Sequence, residues 1–177
     1  MGSPKHLLDF QGKKLIQIVV ERLLACRCFP TVVVLGADAQ RIAPYCNYPD
    51  LNVIENLHWK TGMASSIRCG LEFVETLFPE VEQILFALVD QPYVEAEHYY
   101  ALVEAAERSP EKVIAAYYGG QVGAPMVFAR RHFQMLSRLT GDRGAGALVR
   151  GMDAGDVVEL PLPAAAVGWD AAGDLGE

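Results

Sequence analysis

The chain alternates between two hydrophobic rhythms. In "LIQIVVERLLACR" (15–27) apolar side chains recur at i, i+3 and i+4, the spacing that lines one face of a helix. "TVVVLG" (31–36) is instead a continuous β-branched run, as expected of a strand covered on both faces. The pattern repeats. Strands are predicted at "LNVIEN" (51–56), "QILFALVD" (83–90) and "KVIAAYY" (112–118), and helices at "MASSIRCGLEFVETLF" (63–78) and "EAEHYYALVEAAER" (95–108). Beyond Tyr118 the rhythm loosens into turn glycines and a short strand within "GGQVGAPMVFARRHFQML", then a loop feeding a helix in "GDRGAGALVRGM". "DVVELPL" (156–162) and "AAAVGWD" (164–170) supply two further predicted strands, and the tail "AAGDLGE" is small and polar enough to fray.

Strands alternating with helices imply βαβ units. The expected architecture is an α/β, Rossmann-like three-layer α/β/α sandwich with a mostly parallel, mixed sheet. In such sheets ligands bind beyond the carboxyl ends of the strands, so chemistry is sought there.

Composition narrows the function. A chain of 177 residues fits one domain, and 51% hydrophobic with 21% charged residues is a folding composition. A net charge of −7 argues against a general phosphate-backbone binder, so no nucleic-acid partner is expected. The apolar runs are of strand length and far short of a membrane span, and the start of the chain lacks a signal-like apolar stretch. No membrane partner is expected, and the protein reads as cytoplasmic. Cys26, Cys28, Cys46 and Cys69 lack paired CxxC spacing, and His6, His58, His98 and His132 share no metal spacing. No Walker loop, nucleophile elbow or GxGxxG is present, which removes support from P-loop hydrolysis, acyl transfer and hydride transfer.

Four stretches carry candidate chemistry. In "ILFALVDQPYV" an apolar run delivers Asp90 to a strand end, and Pro92 stops further pairing. Asp90 lies too early to cap the helix that starts near Glu95, and a carboxylate there suits Mg²⁺. Asp170, after "AAAVGW", stands in a similar context and could grip the same ion from a neighbouring strand end; the plainer reading is a polar residue where a strand meets solvent. "TGMASSIRCGLEFV" places a glycine turn and two serines at a helix start, either an anion receptor or an ordinary cap. "LTGDRGAG" frames Asp142 and Arg143 between glycines before a helix, the plainer reading being a helix entry alone, and Lys5 follows Pro4 near Gly2, either a point charge fit for a phosphate or a solvated surface lysine.

"MGSPKHLLDFQGKKLI", "NLHWKTGMASSIRCGL", "LVDQPYV", "GAPMVFARRHF" and "LTGDRGAGALVR" occur in that order. As an ordered set over nearly the whole chain they resemble the MobA-like nucleotidyltransferases, most closely the molybdenum cofactor cytidylyltransferase branch. The resemblance implies a nucleotide-diphospho-sugar-transferase-like fold and Mg²⁺-dependent transfer of CMP from CTP to the terminal phosphate of molybdopterin, with release of pyrophosphate. By the same resemblance Lys5 and Asp90 are catalytic. Gly2, Ser3, Lys5, Gly62, Ser65, Ser66 and Asp90 receive the nucleotide, Asp90 and Asp170 hold Mg²⁺, and Asp142 and Arg143 face the pterin.

Three departures from the family pattern matter. The family opens on a strand and a loop of the form LAAGxSxRMG, and this chain starts at the Met-Gly that should end it. The expectation is therefore a single domain over 1–177 that lacks its first strand, with unpaired sheet edges around an apolar gap. The closing DIDTPEDL stands here as "GWDAAGDL", keeping Asp170 and Asp174 without the Thr-Pro pair, and Gly146 replaces an arginine often found in GDRGAR. LAAG against LAGG would separate cytidylyl from guanylyl enzymes, so the choice of CTP rests on "GMASSIRCGL" and "DQP". The rivals are a GTP-using enzyme, a transferase with another phosphorylated acceptor, and an inactive module that holds the cofactor or docks onto a molybdoenzyme.

Overall fold

A computed structural model of the chain describes residues 4–26 and 28–168. Gly2, Ser3 and Asp170 lie outside the described residues. After Pro4, a 3₁₀ turn at Lys5–Leu7 leads into a hairpin of β1 (Asp9–Phe10) and β2 (Lys13–Lys14). Its two-residue turn has positive φ at Gln11 (50°) and Gly12 (79°), the pairing whose twist matches antiparallel strands. Helix α1 (Leu15–Ala25) follows, and the Gln17 side chain accepts the Lys14 N–H at its start.

Two sheets come next. β3 (Thr31–Leu35) pairs in parallel with β4 (Leu51–Glu55), joined through the short helix α2 (Ala39–Ile42). Beyond α3 (Met63–Leu77) lies a four-stranded sheet in the order β5-β7-β6-β8. It comprises β5 (Gln83–Phe86), β6 (Val113–Tyr118), β7 (Gln121–Ala129) and β8 (Val157–Pro161). β7 runs antiparallel to both β5 and β6, while β6 and β8 are parallel. Among the described residues β3 pairs only with β4, and β5 only with β7.

The period of two along each strand sorts side chains into two helical layers. Val113 and Ala115 of β6, with Met126 and Phe128 of β7, pack against α3, α5 (Phe133–Ser137) and α6 (Ala145–Val149). Ile114 and Val127 face Leu102 and Ala106 of α4 (Ala96–Arg108) on the other side. On β3, Val33 and Leu35 meet Ile16 and Val20 of α1, while Val34 approaches Gly70 of α3. This is the three-layer mixed sandwich that the alternating pattern predicts. β6 is fully buried over Val113–Ala116, whereas the apolar Ile84, Leu85 and Phe86 of β5 and the central three valines of β3 stay half-buried.

Two elements depart from expectation. The strand predicted to run to Asp90 stops at Phe86, where its register with Met126 ends. The neighbouring Pro125 of β7 has no N–H to offer the next residue, so the ladder cannot continue. "AAAVGWD" does not form a strand over its described part: Pro163–Ala166 is a 3₁₀ turn. Proline at the first position presets a helical φ, and alanines have little β preference. None of the helices of the described residues is long and apolar enough to cross a membrane.

Candidate active site

Lys5 and Asp90, 85 positions apart, form an ion pair in which the ammonium donates to Asp90 Oδ2. Lys5 is carried by the first 3₁₀ turn. Asp90 stands in the irregular turn beyond β5 that exists because pairing stops at Phe86. The pair is partly sheltered, with side-chain exposures of 38% and 18%. His6 lies beside it, its Nδ1 buried without a partner. Burial pushes the His6 imidazole below its ordinary value, and the Lys5 ammonium lowers it further, so His6 is held neutral.

The turn is braced from α1. Arg22 Nη1 donates to the carbonyls of Pro92 (2.6 Å) and Val94 (3.1 Å), and Nη2 donates to Glu95 Oε1 (2.6 Å). Helix α4 starts only at Ala96, with Glu95 as its N-cap, so Asp90 is free of capping duty. Gly168 reaches the same place, since a Cβ on it would stand 3.8 Å from the Asp90 carbonyl oxygen.

A second group gathers at the start of α3. Asn56, buried at the end of β4, donates its amide to Ser65 Oγ (2.7 Å) and Ser66 Oγ (3.0 Å) and accepts the His58 N–H (2.9 Å). The Ser65 hydroxyl also lies within reach of the Gly62 (2.8 Å) and His58 (3.1 Å) carbonyls. Ser65 is thus a buried strut, while Ser66 is half-buried. Gly62, at φ 105°, lies against the Gly141 backbone and the Asp142 carboxylate, and the Ala64 N–H donates to the Gly141 carbonyl (3.1 Å). Asp142 and Arg143 are exposed on that loop, and Arg68 holds its base by donating to the Leu139 carbonyl. A cavity of about 460 Å³ opens beside this group, lined by Asn56, His58, Thr61, Ser65, Arg68 and Glu72 among others.

The structure therefore joins Lys5 to Asp90, and Gly62, Ser65 and Ser66 to the Asp142–Arg143 loop. Sequence reasoning missed Asn56 and Arg22. Asn56 had one available signal, a polar residue closing an apolar strand just before the glycine turn.

Among the described residues no cluster of three or more His, Cys, Asp or Glu could hold a metal alone. Asp90 contributes one hard oxygen donor group, which suits Mg²⁺ because that ion takes one or two carboxylates and completes its shell with water and substrate oxygens. Asp170, the second ligand expected from sequence, lies outside the described residues.

Residues 1–157 match the family described as the MobA-like NTP transferase domain. The chain belongs to this family. It is 30% identical over 157 residues to nicotine blue oxidoreductase of Paenarthrobacter nicotinovorans, covering 84% of this chain and 74% of that one. The family fold recurs in Rv0371c of Mycobacterium tuberculosis (TM-score 0.82, 23% identity, 98% of this chain and 87% of that one), which has also been solved in complex with manganese. It recurs too in a molybdopterin-guanine dinucleotide biosynthesis protein A of Archaeoglobus fulgidus (TM-score 0.70, 21% identity, 98% and 88%).

Proposed function

We propose that this MobA-like domain transfers CMP from CTP to the terminal phosphate of molybdopterin in the cytoplasm. An acceptor phosphate oxygen attacks the α-phosphorus of CTP, the bond from that phosphorus to the bridging oxygen breaks, and pyrophosphate leaves. The chain supplies no covalent nucleophile. Its work is positioning and charge neutralisation, which in-line displacement chiefly needs.

The Lys5–Asp90 pair carries this reading. It brings a cation from the first 3₁₀ turn against a metal-ready carboxylate in the turn beyond β5, at a strand end where open α/β sheets bind ligands. Bound at Asp90, with Asp170 as second ligand, Mg²⁺ would neutralise phosphate charge that builds as the bond breaks. Lys5 then turns from Asp90 toward the triphosphate. Gly2 and Ser3 are assigned to the phosphates by the family resemblance alone. Gly62 and Ser66 form the wall for base and ribose, and Ser65 with Asn56 supports that wall from beneath. Asp142 and Arg143 face the pterin from the adjoining loop.

Incubating the chain with Mg²⁺, molybdenum cofactor and either CTP or GTP, and measuring pyrophosphate, tests the reading. Release with CTP and label transfer from α-labelled CTP to the pterin supports it. Release with GTP alone moves the assignment to a guanylyl enzyme, and release only when another phosphorylated compound replaces the pterin moves it to that acceptor. A second reading rests on the 30% identity to a protein described as an oxidoreductase. It predicts oxidation or reduction of nicotine blue with an added electron acceptor or donor, independent of CTP and GTP, and no pyrophosphate.

A further inference from the structure

Gln91 is 3% exposed and directly follows Asp90. Its amide nitrogen donates to the carbonyls of Ala124 (2.9 Å) and Ala165 (3.0 Å), and the Tyr118 hydroxyl lies 3.3 Å away. Those carbonyls belong to segments 33 and 74 positions distant along the chain. Ala124 lies on β7 next to Pro125, where the β5 ladder gives out. Ala165 lies in the 3₁₀ turn before Gly168, which itself abuts the Asp90 carbonyl. The backbone of the Asp90 turn is also pinned here, as the Val94 N–H donates to the Gln91 carbonyl (3.2 Å).

One primary amide has two N–H groups, so it can satisfy two carbonyls at once, which Glu and Met cannot. Yet the Gln91 Oε1 is buried and has no partner. An orphaned acceptor is unfavourable, so this side chain is not the choice that packing alone would favour. Tyr118 adds to the setting: burial raises its phenol above its ordinary value, the hydrogen bond with the Gln91 amide pulls it back, and the nearby Asp90 charge raises it again.

We infer that Gln91 is a positioning residue: its amide clamps the Asp90 turn to β7 and to the segment leading to Gly168, fixing where the Asp90 carboxylate points. The inference rests on the reading of Asp90 as the metal and phosphate carboxylate. It does not place Gln91 in contact with substrate. Groups that orient a ligand in this way are typically worth about 10–100-fold in metal affinity or activity.

The test uses Gln91→Met, nearly isosteric and unable to donate, and Gln91→Glu, which accepts only. Three quantities are measured: Mn²⁺ affinity without nucleotide, kcat and KM for CTP, and amide hydrogen exchange along the chain. The expected result for both variants is Mn²⁺ affinity and kcat lowered about 10–100-fold. KM for CTP should stay within about threefold, with exchange faster at 121–125 and 163–168 while α1 and β3 keep their protection. Parent-like Mn²⁺ affinity in Gln91→Met overturns the inference, and so does protection lost evenly over the whole molecule, which marks a packing residue. Should Gln91→Glu fail to fold, Gln91→Met decides alone. A parent that releases no pyrophosphate sinks the functional reading instead, and the inference is then judged on Mn²⁺ affinity and exchange.

Discussion

Gly62 lies so close to the carbonyl of Gly141 that no side chain fits between the start of α3 and the loop carrying Asp142 and Arg143. A Cβ on Gly62 would overlap the Gly141 carbonyl and come within 2.7 Å of Asp142 Oδ1, and its φ of 105° is itself costly for any other residue. Gly62→Ala should therefore lower stability by at least about 1–3 kcal/mol and displace the 141–143 loop. Gly12 is the control: its φ is 79° but nothing lies within 4 Å of its missing Cβ, so Gly12→Ala carries backbone strain alone. Urea unfolding of the two variants checks this, and equal losses would show that the Gly62–Gly141 approach is unimportant.

Asn56 holds both serines of the glycine turn from beneath. Its replacement by Ala strips a buried amide from Ser65 and Ser66 and leaves the His58 N–H without its acceptor. The expected loss is about 1–3 kcal/mol, with weakened nucleotide binding because the wall at Gly62 and Ser66 loses its support. Denaturant titration with calorimetric CTP binding measures both. A variant that unfolds more easily yet binds CTP as the parent does would separate the strut from the site.

The large elements were legible because their signals are local. Helices α1, α3 and α4 bury faces that repeat along the chain, and β3 and β6 are continuous apolar runs between turns. The carboxylate in "LVDQP" and the lysine after Pro4 were visible as residue types in loops, and the fold brought them together. What stayed hidden depends on partners far away in sequence. The end of β5 is set by Pro125 on another strand, and the role of Gln91 by two carbonyls on distant segments. The misread of "AAAVGWD" has a local cause, since Pro163 outweighs an apolar run of alanines.

Tyr99 is fully buried in α4, and its hydroxyl has no hydrogen-bond partner. Desolvation raises its phenol above the ordinary value, so the group is buried neutral with an unmet donor. Tyr99→Phe removes the orphan and keeps the ring, so stability should stay level or rise by about 1 kcal/mol. Thermal unfolding decides it. A clear loss of stability would mean that the hydroxyl has an undetected partner.

Acid should destabilise the fold through His6 and His132. Burial is the leading cause holding both imidazoles below their ordinary value of 6.5, with Lys5 and Arg131 respectively adding to it, against opposing pulls from nearby carboxylates and, first for His132, from a hydrogen bond with the Ala129 backbone. Below about pH 6.5 the unfolded chain takes up protons that the folded imidazoles resist, so stability is retained above that pH and falls as pH drops through it. His132, buried with an unpartnered Nδ1 against Phe128, is the cleaner probe because it is remote from Lys5 and Asp90 in the fold's packing. His132→Leu should flatten the slope of stability between pH 7 and 5. An unchanged slope would assign acid sensitivity to other groups.

The most direct test of the account is pyrophosphate release by the parent and by Asp90→Ala, with Mg²⁺, CTP and molybdenum cofactor. The variant should keep its fold, because Asp90 stands in a turn beyond β5 and not in the core. The account predicts release by the parent with CTP and none by folded Asp90→Ala. No release by the parent with either CTP or GTP, or parent-like release by Asp90→Ala, would contradict it.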